Sequence, residues 1–96
     1  AFPSVSRDLS FVVPVQMSCA MMIQWLKEKA GPLLGGIEVF DVYQGTGIPE
    51  GLKSIALHFV WREPSRTLQD AEVEERMQVL MNGLKEHFKA QIRDAS

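Results

Sequence analysis

Apolar and polar residues alternate along Arg7 to Pro14 (RDLSFVVP), with Leu9, Phe11 and Val13 on one side and Asp8, Ser10 and Val12 on the other. That period of two predicts a strand half buried on one face and closed by Pro14. The period then lengthens. Ser18 is placed to cap a helix running to about Ala30, with Met22, Leu26 and Ala30 at four-residue spacing, Ile23 beside them, and Gly31-Pro32 as its end. Gly36 to Tyr43 (GIEVFDVY) and Lys53 to Trp61 (KSIALHFVW) predict two further strands, joined by the Gly/Pro-rich connection GTGIPEG at 45–51. Beyond Pro64, Thr67 or Asp70 can cap a second helix whose apolar positions Val73, Met77, Leu80, Leu84 and Phe88 draw one stripe. Gln91 to Arg93 predicts a short last strand.

The order β-α-β-β-α-β is the split pattern of α+β, ferredoxin-like folds. The expected architecture is a four-stranded antiparallel sheet with both helices on one face, because each helix has only one apolar stripe to bury. The other face stays open. Alternation then sorts the residues of each strand by side. Ile55, Leu57, Phe59 and Trp61 are expected in the core, leaving Ser54, Ala56, His58 and Val60 outward. Phe40 and Val42 are expected on the core side, which turns Asp41 and Tyr43 outward. An open face offering Asp41, Tyr43 and Ser54, with small Ser10 and Ala56 leaving room, makes a shallow binding platform.

Composition adds bounds. Ninety-six residues, 46% of them hydrophobic and including two Trp and five Phe, suffice for one domain and one core. The single cysteine, Cys19, excludes an internal disulfide and fits a reducing compartment. No apolar run is long enough for a transmembrane helix, so no membrane is expected. The chain opens on Ala and directly on a structured segment, and is expected to be part of something longer. A net charge of −2 argues against a grip on nucleic acid made mainly through phosphates.

Candidate chemistry changes the picture little until Tyr43. GTGIPEG fits neither the Walker pattern nor GxGxxG, and it lies between strands instead of opening a helix, so it reads as a hairpin loop. Cys19, His58 and His87 lack metal-ligand spacing, and Cys19 carries no nucleophile signature, so neither a metal nor a catalytic residue is expected. The acidic cluster Glu72, Glu74 and Glu75 opens a helix, where it suits the positive end of the dipole. Met17, Met21 and Met22 read as packing. Tyr43, outward at a strand end, is either an edge aromatic or a platform for a stacked base.

Several strings resemble one family, the ferredoxin-fold anticodon-binding domain of phenylalanine–tRNA ligase β subunits. They are Phe2-Pro3 with Arg7-Asp8 five residues on, FDVYQGTGIPEGLKSIAL (Phe40 to Leu57), RTLQD (Arg66 to Asp70) and the KEHFKAQIRD ending, collinear over nearly all of residues 1–96. The resemblance implies a tRNA-binding domain, without catalytic residues or cofactor of its own, at the C-terminus of a bacterial β subunit. It implies a cytoplasmic parent that joins phenylalanine to tRNA(Phe) with ATP and Mg2+, the chemistry lying in a catalytic α subunit of a heterotetramer (α2β2). The anticodon stem-loop is then contacted from the sheet by Asp41, Tyr43 and Ser54, the three residues that alternation alone turns to the open face. The family reads an anticodon that begins with guanine.

Arg7, Lys53 and Arg66 are the expected additional tRNA contacts. The acids are expected to be concentrated on the second helix, remote from the open face, with Arg7, Lys53, Arg62 and Arg66 on the strands or their connections. One departure is visible, since many relatives carry Thr at the position of Gln69, so capping is expected to pass to Thr67 or Asp70. The leading rival is a small-molecule-sensing regulatory domain of the same fold, which calls for a Gly-rich turn after the first strand where this chain has Pro14 to Ser18. An acylphosphatase-like enzyme calls for an anion-binding Arg in that connection, and VQMS (15–18) has none. An RNA-recognition-motif domain calls for outward aromatics on the third strand, where Ser54, Ala56 and His58 stand.

Overall fold

The computed structural model describes residues 2–96; Ala1, the first residue of the expected domain, lies outside them. The elements are β1 (Val5–Pro14), α1 (Cys19–Ala30), β2 (Leu34–Tyr43), β3 (Leu52–Trp61), α2 (Asp70–Phe88) and β4 (Gln91–Ala95). They form one antiparallel sheet in the order β2-β3-β1-β4, a ferredoxin-like α+β fold with one sheet face open. The last strand runs further than Gln91–Arg93, because Asp8 and Ser96 exchange backbone hydrogen bonds of 2.7 and 2.9 Å beyond it. A bulge between Ser10 and Phe11 in the β1–β4 pairing absorbs the extra residue there.

Hydrophobic burial divides the sheet as the alternation requires. Leu9, Phe11 and Val13 of β1 and Ile55, Leu57, Phe59 and Trp61 of β3 join Met22, Leu26 and Ala30 of α1 and Val73, Met77, Leu80 and Leu84 of α2 in one buried cluster. Ser18 caps α1, its hydroxyl accepting from the Met21 N–H at 3.2 Å. Helix α2 departs from expectation at its start. Neither Thr67 nor Asp70 caps it; Gln69 does, in an extended conformation, while the Glu72 carboxylate reaches back to the Gln69 N–H at 3.4 Å. An acid three residues into the helix makes the reciprocal half of a capping box, so the helix begins without a Ser, Thr or Asp cap.

That same carboxylate accepts from Arg66 Nη1 at 2.8 and 2.9 Å. The hydrogen bond from Arg66 holds the Glu72 carboxyl below the usual carboxylate range. A depressed native value means that the native state holds fewer protons than the unfolded chain in that range, so this contribution is present above the unfolded value and lost as pH falls through the native one. Arg66→Ala is expected to raise the Glu72 pKa in an NMR titration and to leave less stability to lose on acidification.

The two helices meet at Gly83, where a Cβ would lie 1.9 Å from the far edge of the Trp25 ring. Trp25 is not free to swing away, since it packs on His87 and edge-on to Phe88 at centroid distances of 5.4 and 5.9 Å. Gly83→Ala gains about 1 kcal/mol in helix propensity but overpacks this contact by about 2 to 3 kcal/mol. Denaturant titration is expected to show a net loss of about 1 to 2 kcal/mol by that difference, and the loss is expected to vanish in a Trp25→Leu background.

Helix α1 has twelve residues and β2 ten, lengths of about 18 and 33 Å respectively. The helix therefore covers only the start of the strand, and the β2–β3 hairpin overhangs the helical layer. Val42, expected in the core, is in register with core residue Ile55 yet 52% exposed for this reason.

Candidate functional site

Register converts the open face into rows of side chains. Residues paired directly across antiparallel strands share a face, and successive rows lie about 7 Å apart. The row nearest the hairpin loop runs Tyr43, Ser54, Val12, Gln91 from β2 to β4. The next runs Asp41, Ala56, Ser10, Asp94, and the third Glu38, His58, Asp8. Asp41, Tyr43 and Ser54 are thus brought together on the face the helices leave uncovered. Among the described residues Asp41 makes no ion pair and no side-chain hydrogen bond.

Tyr43 is 42% exposed and its ring is held from beneath the loop. Its hydroxyl donates to the Thr46 carbonyl at 2.9 Å. Gly45, at φ 139°, passes so close that a Cβ there would lie 3.2 Å from the Tyr43 hydroxyl. The left-handed backbone requires glycine there, and the close approach leaves a side chain little room. GTGIPEG is accordingly a hairpin loop, closed by Ile48 N–H to Gly45 and Leu52 N–H to Pro49 bonds of 3.0 and 3.1 Å, and it braces the aromatic side chain.

The three basic candidates do not join this group. Arg7 is in register with Phe59, on the helix side of the sheet, and its guanidinium lies 3.7 Å from Asp70 at the start of α2. Lys53 is in register with Val13, also on the helix side. Arg66 sits in the β3–α2 connection and is engaged by Glu72. The acids, conversely, are not confined to the second helix. Asp8, Glu38, Asp41 and Asp94 all register onto the open face, with His58 holding Asp8 through Nδ1 at 2.6 Å. Strand parity, not position in the chain, decides the side of each charge. The open face is therefore rich in hydrogen-bond acceptors and poor in cations.

Residues 1–93 match the model of the ferredoxin-fold anticodon binding domain. The chain belongs to that family. The phenylalanine–tRNA ligase beta subunit of Moorella thermoacetica is 42% identical over 92 residues, and that of Synechococcus sp. 40% over 92, each match covering 96% of this chain. The Thermotoga maritima beta subunit is 38% identical over 87 residues. This chain spans only 11% to 12% of the length of these relatives. Among solved structures, a formyltetrahydrofolate deformylase from Pseudomonas putida aligns with 96% of this chain and 28% of its own, at TM-score 0.51 and 14% identity, which speaks for the fold alone.

One residue of this anticodon-binding-family domain stands where alternation does not put it. Phe40, expected in the core, is 56% exposed on the open face. A bulge between Val39 and Asp41 sets Phe40 and Asp41 together against Ala56, so Val39 and Val42 keep the core side while Phe40 turns out. Its signal is in the sequence. Apolar positions run Ile37, Val39 and then Phe40, Val42, a slip of phase by one residue. Among the described residues no three His, Cys, Asp or Glu side chains gather as a metal site, and no helix is long and apolar enough to cross a membrane.

Proposed function

We propose that residues 1–96 are one domain of a longer chain, the anticodon-binding domain of the β subunit of a bacterial phenylalanine–tRNA ligase, and that its open sheet face binds the anticodon loop of tRNA(Phe). The observation that carries this reading is the register that sets Tyr43 beside Ser54 and Asp41 beside Ala56 on an uncovered face, in a chain of the anticodon-binding family. Tyr43 offers a ring for stacking, and the ring is usable because the loop already satisfies its hydroxyl. Asp41 offers two acceptor oxygens, and Ser54 a hydroxyl for a nearby base edge or sugar. Unstacked loop bases are recognised by stacking and base-edge hydrogen bonds, which suits a face poor in cations.

The domain is non-catalytic in this reading. The parent joins phenylalanine to tRNA in the cytoplasm with ATP and Mg2+, held by its catalytic α subunit in an assembly of two α and two β subunits. Of the basic candidates, Lys53 remains free for backbone contact at the hairpin edge, whereas Arg7 and Arg66 would first leave Asp70 and Glu72. Nuclease footprinting of tRNA(Phe) on the full enzyme tests the proposal. Protection of the anticodon loop is expected, and is expected to disappear in the Asp41→Asn, Tyr43→Ala double variant; unchanged protection overturns the reading.

A further inference from the structure

Beside the Tyr43 row the open face carries a hollow of about 270 Å³, lined by Phe40, Ala56, Ser10, Asp8 and Asp94. The strand order makes Phe40 on β2 one wall and Asp94 on β4 the opposite one, with small Ser10 and Ala56 on the two central strands as the floor. We infer that Phe40 is a second base-stacking residue of this face, holding in the hollow an unstacked base that carries an exocyclic amino group. The inference rests on the tRNA-binding reading of the open face.

Three features carry it. The bulge leaves Val39 and Val42 on the helix side, though both are themselves exposed, and turns the Phe40 ring, 56% exposed, onto the open face. Bulges re-aim side chains in this way beside functional sites. Next, Phe40 lies three residues from Tyr43 on the same strand, about 10 Å along it, so the two rings can serve different nucleotides of one unstacked loop. Finally, the oxygens at the rim are acceptors. Asp8 spends Oδ1 on His58 at 2.6 Å and keeps Oδ2, and Asp94 makes no ion pair among the described residues. Carboxylates accept only, so they meet the amino group of adenine, cytosine or guanine and oppose the carbonyl edge of uracil. The same charges repel phosphates, which leaves the base and not the backbone to enter.

The test uses the full enzyme and tRNA(Phe), with Tyr43→Ala as the reference. Phe40→Ala is expected to weaken tRNA binding about 5- to 150-fold, the range of one lost base stack. Phe40→Leu, apolar but without a ring, is expected to lose nearly as much, and Phe40→Tyr to bind close to wild type. With loop bases made abasic one at a time, one position is expected to abolish the Phe40→Ala effect, and a different one the Tyr43→Ala effect. Uracil at the Phe40 position is expected to bind more weakly than an amino-bearing base, by a margin that Asp94→Asn narrows. If Tyr43→Ala weakens binding and Phe40→Ala does not, the inference is overturned. The same holds if Phe40→Leu binds like wild type, or if one position couples to both rings. If Tyr43→Ala also has no effect, the tRNA-binding reading itself fails and takes this one with it.

Discussion

Asp41→Asn in the full enzyme is expected to cost about 1 to 3 kcal/mol of discrimination between tRNAs whose anticodons begin with guanine and with adenine. The Watson–Crick edge of guanine presents two adjacent donors, the ring N–H and the amino group. A carboxylate has two acceptor oxygens that can meet both in parallel. Adenine presents an unprotonated ring nitrogen at that edge, so the same carboxylate faces a lone pair with no donor between them. Asparagine replaces one acceptor by a donor and removes the charge. The competing role for Asp41, a strand-to-strand bridge to Arg7 or Lys53 worth at most about 1 kcal/mol, finds no support in the fold. Arg7 turns to Asp70 on the helix side, and Lys53 shares a face with Val13. Binding of both tRNAs to wild type and variant, taken as a double-mutant cycle, measures the coupling. A coupling near zero would assign guanine reading to some other group.

Tyr43→Ala is expected to weaken tRNA binding by about 1 to 3 kcal/mol, the value of a base stacked on an aromatic ring. Tyr43→Phe is expected to cost less than about 1 kcal/mol, because it keeps the ring and gives up one ordinary hydrogen bond. That bond is the 2.9 Å contact from the hydroxyl to the Thr46 carbonyl, which ties the ring to its own hairpin loop. Titrations of the two variants side by side separate ring from hydroxyl. Equal losses would mean that anchoring of the loop, not stacking, is what the tRNA requires.

The sequence carried more of this candidate site than of its surroundings. Asp41, Tyr43 and Ser54 could be turned to one face by alternation along β2 and β3, and the register bears that orientation out. Phe40 could not, because strict alternation assumes that no residue is inserted, and one inserted residue reverses the side of its neighbour. The same assumption hid nothing on β3, whose ten residues pair with β1 without a break. The start of α2 failed differently. Ser, Thr and Asp are the expected caps, but Glu72 in the first turn and Arg66 before it hold the end of the helix by side-chain bonds.

What the sequence determined by itself is local and periodic: four strands, two one-striped helices, and hence a ferredoxin-like sheet with one face to spare. Those features follow from the spacing of apolar residues, which any segment carries with it. Alternation already turned Asp8 and Asp41 to that spare face; tertiary structure decided which other charges join them and what each charge meets. Arg7 and Asp8 are neighbours in the chain yet stand on opposite sides of the sheet, one beside Asp70 and the other beside His58. Asp94 reaches the face only because β4 pairs with β1 across a bulge. The reach of the helices was likewise a matter of three dimensions, since a twelve-residue helix rises about half the length of a ten-residue strand. The overhanging hairpin, with Tyr43 braced at its end, is the result of that difference.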